Sequence, residues 1–362
     1  MKVIEIFGRK VGEGQPCFIV AEAGSNHNGS IELGKKLIRA AKEAGADAVK
    51  FQAFKTEELV IKNAPKANYM KKGKERGLFD LLKKLELGEE EQKELYEYAQ
   101  KLEMPIFWSI FDKKSADMIE RIGANEVFKL ASGEITNTPL IEHVAKKSAP
   151  LIISTGMADL EEVRDAVETA KKVGNEQIIL MHCTTGYPCK KSDVNLRAMK
   201  TLVEEFKLPT GYSDHTRGIE VALAAKIDGA CIIEKHFTID KKMGGPDHFM
   251  SMDSREFKML VDGIRKIETG EIIAIRGIET ILGSPKKEPT KRELIERIWS
   301  RKSVVARKSI KKGDVLGEEM LATKRPATGI SPKYYQELIG KKAKHNIMED
   351  TIIKPEDIEK QL

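Results

Sequence analysis

Residues Ala230–His248 read ACIIEKHFTIDKKMGGPDH, and this stretch decides the fold class. Its first four residues are apolar, as in a short strand that is buried in a sheet. The run then turns polar, and Glu234 and His236 share one face because alternate residues of a strand point the same way. A buried strand that ends in an acid and an imidazole predicts that its carboxyl end faces a site.

A second candidate strand ends in the same way. Residues 210–215 read TGYSDH, in which Ser213 and His215 share a face. Two strands that each end in an imidazole beside a polar partner can hold a divalent metal ion at the mouth of a barrel. Two histidines leave the other ligands to water and substrate oxygens, which suits Mn²⁺ or Mg²⁺ better than zinc. The alternative, two structural histidines, stays open at this point.

Short apolar runs alternate with amphipathic helical patterns along most of the chain. The eight candidate strands are Phe18–Ala21, Ala48–Phe51, Ile106–Ser109, Val127–Ala131, Leu151–Ser154, Ile178–His182, Thr210–Ser213 and Cys231–Glu234. Eight strand–helix repeats in about 270 residues predict a (β/α)8 barrel. The rival, a doubly wound open sheet, is disfavoured because no GxGxxG motif follows the first strand.

The alternation of apolar strand patterns and amphipathic helix patterns ends after Ile281. Residues 283–291 read GSPKKEPTK, a polar segment with two prolines that is typical of a linker. From Trp299 onward the apolar pieces are short, and such a small domain has a thin core that leans on a larger one. We predict a barrel domain at residues 1–280, a linker at 281–298 and a small β-rich domain at 299–362.

Composition excludes several classes of function. The chain has 362 residues, with 62 Lys and Arg against 56 Asp and Glu, a net charge of +6. No basic block is interleaved with aromatic residues, which argues against a nucleic-acid partner, whereas the mild basic excess suits a small anionic substrate. The four cysteines form no CxxC pair and are expected to be reduced. Without a signal-peptide core or an apolar run near 20 residues, we expect a soluble cytoplasmic protein with no membrane contact.

Nearly every candidate strand ends in a group that can bind an anion, a metal ion or a proton. These residues are Glu22, Lys50, Gln52, Ser109, Lys129, Ser132, Ser154, His182, Thr184, Ser213, His215, Glu234 and His236. Buried lysines and glutamates are rare unless they are paired, so their convergence indicates function. In a (β/α)8 enzyme the active site lies at these carboxyl ends.

Two lysines among these residues suggest a phosphate site. Lys50 and Lys129, with Ser132 and Ser154, offer charge-assisted hydrogen bonds to an anion. Each lysine can instead be one half of a structural ion pair, and the residue types alone do not separate the two roles.

Carboxylates supply candidates for proton transfer and sugar binding. Glu22 and Glu134 are acid–base candidates because both follow predicted strands closely. Asp247, in the GGPDH loop after the eighth strand, can bind sugar hydroxyls or simply stabilise a turn after proline.

An ordered series of motifs runs along the chain. They are AEAGSNHNGS, AVKFQ, FKLASGE, STGM, HCTTGYP, YSDHT, EKHFTID and GGPDH, followed by KKGD, KRPATGI and ELIGKKA. In this order they resemble the sialic acid synthase family, also called the N-acetylneuraminate or nonulosonate synthases. The resemblance covers nearly the whole chain, including the antifreeze-like (SAF) domain that ends such proteins.

This resemblance implies a metal-dependent condensation of phosphoenolpyruvate with an open-chain N-acyl hexosamine, giving a nine-carbon 2-keto acid and phosphate. The implied phosphoenolpyruvate ligands are Lys50, Gln52, Lys129, Ser132, Ser154, Thr185 and Ser213. The implied ligands of the amino sugar are Glu134, Tyr187, Asp247 and Arg325. His215 and His236 would bind Mn²⁺ or Mg²⁺, and the implied catalytic residues are Glu22, Glu134 and Glu234.

The resemblance also implies a domain-swapped homodimer, in which Arg325 reaches the N-acyl group of a sugar held by the partner's barrel. The chain departs from the family at the third strand. Where members often read STPFD, this chain has Ser109-Ile110-Phe111-Asp112, which leaves the contribution of this strand end open.

Several functions remain as alternatives. N-acetylmannosamine as the acceptor would give sialic acid, our first expectation, whereas a diacetamido-trideoxy hexose would give legionaminic or pseudaminic acid. A Schiff-base aldolase with Lys50 or Lys129 as the nucleophile is a rival enzyme. A carbohydrate- or ice-binding protein that uses the SAF domain is a rival without catalysis.

Overall fold

Eight parallel strands close into a barrel in the computed structural model, which describes residues 2–64 and 77–359. These strands, numbered after a short hairpin of β1 and β2, are β3 Phe18–Gly24, β4 Ala48–Ala53, β5 Ile106–Ile110, β6 Phe128–Leu130, β7 Leu151–Ser154, β8 Ile178–Cys183, β9 Thr210–Asp214 and β10 Ile232–His236. Their order around the barrel is β10-β3-β4-β5-β6-β7-β8-β9. All eight strands expected from the apolar runs are present, so the (β/α)8 prediction is confirmed.

Helices separate the barrel strands and cover their outer face. They are α1 Ile31–Glu43, α2 Thr56–Leu59, α3 Leu78–Leu85, α4 Glu89–Lys101, α5 Lys113–Arg121, α6 Thr138–Ala145, α7 Leu160–Lys172, α8 Ala198–Phe206, α9 Glu220–Ile227 and α10 Ser254–Glu268. In α1 the Ser30 hydroxyl accepts from the Leu33 amide as an N-cap, and Leu37, Ile38 and Ala41 are buried. The short helices α2 and α3, between β4 and α4, are additions that apolar periodicity did not predict.

A hairpin lies under the barrel. Strands β1 Ile4–Ile6 and β2 Arg9–Val11 pair antiparallel. Ile4, Ile6 and Val11 pack in one apolar cluster with residues at the amino ends of the barrel strands, such as Phe18 and Phe107. The amino-terminal end of the barrel is therefore filled, and the open end lies at the carboxyl ends of the strands.

The predicted linker contains a helix. Helix α11 Ile278–Leu282 is followed by helix α12 Lys291–Ser300. The N-cap of α12 is Thr290, whose hydroxyl accepts from the Glu293 amide while the Glu293 carboxylate accepts from the Thr290 amide. This reciprocal capping box explains why a segment that is polar in sequence becomes helical.

The carboxyl-terminal part has a small apolar core of its own. Strands β11 Ser303–Ala306 and β12 Leu321–Lys324 pair antiparallel, and helix α13 Tyr335–Leu338 packs in the same cluster. This part lies against the barrel, since the Arg325 amide donates to the Leu59 carbonyl. Within residues 2–64 and 77–359, no helix is long and apolar enough to cross a membrane.

The buried His182 of β8 makes stability depend on pH. Its ring contacts the Val194 carbonyl at 2.8 Å, and burial, with a smaller effect of Lys287, lowers the pKa of His182 to about 4. In the unfolded chain this imidazole takes up a proton near pH 6.5, so its contribution is present above that pH and is lost as the pH falls towards 4. From pH 7 to pH 5 we expect a loss of about 2 kcal/mol in the free energy of unfolding.

Denaturant titrations of the wild type and of His182→Gln at both pH values measure this effect. Glutamine cannot take the charge, so the variant should lose about 2 kcal/mol less than the wild type over this interval. An identical pH slope in His182→Gln would contradict the assignment.

Candidate active site

A cavity of about 160 Å³ opens at the carboxyl ends of the barrel strands. The site residues implied by the family resemblance all line it except Glu134, whereas the strand-end candidates His182 and Thr184 do not line it. The implied residues that line it are Glu22, Lys50, Gln52, Lys129, Ser132, Ser154, Thr185, Tyr187, Ser213, His215, Glu234, His236, Asp247 and Arg325. The structure thus brings residues from seven strand ends and from the carboxyl-terminal part to one place, while their individual roles stay predictions.

Buried ion pairs form the floor of the cavity. Lys50 Nζ lies 2.5 Å from Glu22 Oε2 and 3.6 Å from Glu234 Oε2. Lys129 Nζ lies 2.5 Å from Glu234 Oε1, which also accepts a 2.9 Å hydrogen bond from the Ser213 hydroxyl. All four charged side chains are at most 7% exposed. Charged groups buried this deeply are stable only when they are paired. The lysine ammonium groups still have N–H protons that they can donate to an anion entering the cavity.

The two carboxylates of this floor differ in proton affinity. Burial raises the pKa of Glu22 to about 7, although Lys50 opposes the rise. Burial acts on Glu234 as well, but Lys129 and Lys50 hold its pKa well below the usual range. Glu22 can therefore exchange a proton near neutral pH while Glu234 stays ionised, a division that suits one proton-transfer group and one fixed charge.

A β-bulge directs Glu22 into the cavity. The pairing of β3 with β4 shifts between Glu22 and Gly24, and Gly24 has a φ of +51°. A Cβ atom at Gly24 would lie 3.2 Å from Glu22 Oε1 and 3.4 Å from Gln52 Nε2. The glycine thus provides both the left-handed backbone and the space that this carboxylate needs.

His215 and His236 lie side by side, with ring centroids 5.5 Å apart. His215 Nδ1 lies 3.0 Å from the Thr184 carbonyl, which leaves its Nε2 free for a ligand. His236 Nδ1 is buried without a hydrogen-bond partner, and burial together with His215 lowers the pKa of His236 well below its usual range. A neutral imidazole with an unpaired nitrogen fits a metal ion. In the described ranges no three His, Cys, Asp or Glu residues group around one point.

Hydroxyl groups without partners lie beside the charged floor. Ser154 Oγ and Thr185 Oγ1 are buried and make no hydrogen bond. Ser132 Oγ accepts from the Gly156 amide at 3.0 Å. A buried hydroxyl without a partner costs free energy, which a ligand that accepts its proton would recover. Two such groups near Lys129 fit an anionic ligand.

Glu134 lies just outside the cavity. It is fully buried and is not among the lining residues, although its neighbour Gly133 is, so its assignment to catalysis and to the sugar stays a prediction. Glu134 Oε2 accepts from Asn137 Nδ2 at 2.7 Å and lies 3.3 Å from Lys302 Nζ, while Oε1 lies 3.9 Å from an Arg325 terminal nitrogen. Its position behind Arg325 suits a residue that orients this guanidinium.

The chain departs from the family pattern at the end of β5, the third strand of the barrel. Ser109 accepts a 2.6 Å hydrogen bond from Lys50 Nζ, so this strand end still contributes to the floor. Phe111 lines the cavity, and Asp112 caps helix α5 through the Ser115 amide. Phe111 matches the phenylalanine of the family pattern, whereas Ile110, in the place of Thr-Pro, is buried in the core and does not line the cavity.

Comparison with known proteins identifies the family. Residues 37–271 match the model of the NeuB family, and residues 301–359 match that of the SAF domain. The chain belongs to the NeuB family of nonulosonate synthases. It is similar to the N,N'-diacetyllegionaminic acid synthase of Legionella pneumophila, with 46% identity over 354 residues that cover 96% of each chain.

Two further proteins are similar to this NeuB-family chain at lower sequence identity. A pseudaminic acid synthase of Campylobacter jejuni is 36% identical, over 94% of this chain and 96% of that protein. Among solved structures, the spore coat polysaccharide biosynthesis protein SpsE of Bacillus subtilis covers 100% of both chains, with a TM-score of 0.85 and 34% identity.

Glu293 of α12 is a buried residue that sequence reasoning missed. Its Oε1 accepts hydrogen bonds from the amides of Met157 and Thr185, both at 2.8 Å. These amides belong to the loops after β7 and β8, and the cavity is lined by Ser154, the last residue of β7, and by Thr185. The capping-box spacing from Thr290 to Glu293 was a visible signal, but it did not reveal that the same carboxylate holds two site loops.

Glu293→Ala should lower the free energy of unfolding by roughly 1.5–3 kcal/mol, because it leaves two buried amides without their charged acceptor. Denaturant titration gives the value. Glu296→Ala, a half-buried glutamate of the same helix, is the matched control and should cost less than about 0.5 kcal/mol. Equal losses in the two variants would show that Glu293 acts only through general helix stability.

Proposed function

We propose that this protein condenses phosphoenolpyruvate with an open-chain diacetamido-trideoxy hexose, giving a nine-carbon 2-keto acid of the legionaminic type and phosphate. The observation that carries the proposal is the buried floor of two lysines and two glutamates beside a histidine pair. The 46% identity with a protein named as a legionaminic acid synthase favours this acceptor over N-acetylmannosamine, our first expectation. Pseudaminic-type acceptors are less favoured, at 36% identity.

The floor supports binding of phosphoenolpyruvate, which carries a phosphate and a carboxylate. Lys50 and Lys129 have further protons to donate once the anion approaches, and each charge-assisted contact contributes roughly 1.5–3 kcal/mol. The unpaired hydroxyls of Ser154 and Thr185 would then gain an acceptor. Glu22 and Glu234 keep the lysines charged while the site is empty.

Glu22 and Glu234 would have different roles in the reaction, one in proton transfer and the other in stabilising positive charge. Carbon 3 of phosphoenolpyruvate attacks the aldehyde carbon, and the aldehyde oxygen takes up a proton. Water adds to the cationic carbon 2 and releases a proton to a base, after which phosphate leaves and the ketone forms. Glu22, with a pKa of about 7, suits the proton transfers, and the ionised Glu234 suits stabilisation of the cationic centre.

A divalent cation fits the histidine pair. His215 and His236 would hold Mn²⁺ or Mg²⁺, which when bound supplies a Lewis acid for the aldehyde oxygen. Tyr187 lies beside both rings, with centroids 4.5 Å from His215 and 6.0 Å from His236. Asp247, whose pKa burial raises to about 6, lies within reach of the same face for a sugar hydroxyl.

Phosphate release from phosphoenolpyruvate tests the proposal. The purified protein is given Mn²⁺ and, in parallel, a diacetamido-trideoxy hexose or N-acetylmannosamine, with mass spectrometry of the products. EDTA should abolish release and Mn²⁺ restore it, and His215→Ala should lower the rate at least about a hundredfold. His345→Ala, outside the cavity, should keep the wild-type rate.

The same assay separates the rivals. Full activity in chelator or in His215→Ala would reject the metal assignment. Turnover of a substrate without phosphate release, with an adduct trapped by borohydride, would indicate the Schiff-base aldolase instead. Absence of any turnover would leave the binding protein as the better interpretation.

We also propose a homodimer in which the carboxyl-terminal parts are exchanged. In the single chain Arg325 lies at the cavity of its own barrel. Exchange between two copies would keep the same contacts between a barrel and a carboxyl-terminal part, with the linker crossing over. The proposal rests on family resemblance and on the small core of this part, which needs a larger surface to pack on.

Mixing two inactive variants tests the exchange. Arg325→Ala and Lys129→Ala proteins are dissociated, mixed in equal amounts and reassembled. With exchanged parts, one of the two sites in each mixed dimer is whole, so about a quarter of wild-type activity should return. Background activity in a verified mixed dimer would reject the exchange, because without it no mixed site is whole.

A further inference from the structure

An apolar wall forms one side of the cavity. Six of its residues pack together as a cluster apart from the barrel core, and each of them lines the cavity. These residues are Phe54, Leu59, Leu81, Leu82, Leu85 and Phe111. They come from the segment between β4 and α4, including helices α2 and α3, and from the loop after β5. No element of the mechanism above uses them.

One cationic donor borders this wall. The Arg325 guanidinium lies over the Phe111 ring at 5.4 Å, and the Arg325 amide donates to the Leu59 carbonyl. Arg325 Nε is buried and makes no hydrogen bond. A donor without a partner next to an apolar surface matches an acetamido group, whose carbonyl accepts a proton and whose methyl packs on apolar side chains.

We propose that the wall selects the acceptor: it takes the apolar substituents of a diacetamido-trideoxy hexose and rejects a hexosamine with hydroxyl groups at those positions. This inference rests on the proposed function. Hydroxyl groups turned towards six apolar side chains would lose their water and find no partner, whereas a methyl and an acetyl group gain from burial. Hydrophobic pockets reject an added hydroxyl by about a hundredfold, so we expect a preference of that order.

The wall could otherwise serve only to exclude water from the reacting groups. That role predicts equal loss of rate with every acceptor when a wall residue becomes polar. Selection predicts a change in the ratio of kcat/KM between acceptors. The ratio therefore separates the two roles, which rates with one acceptor do not.

Two wall variants test the inference, each with a matched control. Leu82→Asn places an amide in the half-buried helix α3, and Phe111→Tyr adds one hydroxyl beside Arg325. The controls, Leu33→Asn and Phe79→Tyr, make the same changes at half-buried residues that do not line the cavity. Circular dichroism verifies that each variant is folded. The kcat/KM values are measured for a diacetamido-trideoxy hexose and for N-acetylmannosamine at saturating phosphoenolpyruvate.

The wild type and both controls should prefer the trideoxy acceptor by about a hundredfold, and each wall variant should reduce that ratio by about tenfold or more. A ratio within about threefold of the wild type in both wall variants would overturn the inference and leave the proposed reaction intact. A wild-type preference for N-acetylmannosamine would also overturn it. If neither acceptor causes phosphate release, the proposed function fails and the inference fails with it. Should Leu82→Asn not fold, the more conservative Phe111→Tyr decides.

Discussion

The pairing of Lys50 and Lys129 with Glu22 and Glu234 is the interaction on which the rest of the site depends. Four charges at the centre of a barrel are tolerated only together, since removing one partner of a buried pair typically costs about 3–5 kcal/mol. The pairing fixes which carboxylate holds a proton and keeps both lysines near the path of an anion. It also occupies inward-facing positions of β3, β4, β6 and β10, so the closed barrel is a precondition of the chemistry.

The barrel and most of the site could be predicted because their signals are local. An apolar run of four or five residues that ends in Lys-x-Gln or Glu-x-His predicts a strand, and it also indicates the face on which the last side chains of that strand lie. The closure of eight such strands then places those side chains together. The position of Glu134 outside the cavity lining was not predictable, because this residue follows the strand through a turn, where a period of two residues no longer indicates direction.

Long-range features were not predictable in the same way. Glu293 binds amides more than 100 residues away along the chain, and nothing in its neighbourhood except a capping box distinguishes it from a surface glutamate. The apolar wall was missed for a related reason. Its leucines lie in the short helices α2 and α3, which are easily taken for a connection, and their common orientation depends on how these helices pack with Phe54 and Phe111.

Within residues 2–64 and 77–359, the hairpin β1–β2 covers the amino-terminal end of the barrel and leaves the carboxyl ends of the strands open. Ile4, Ile6 and Val11 fill the amino-terminal end together with the lower layer of barrel side chains. The proposed substrates and products would therefore pass through the mouth that Arg325 borders. Entry and exit would share this opening, so a phosphate ion held by Lys50 and Lys129, as proposed, would block the next molecule of phosphoenolpyruvate.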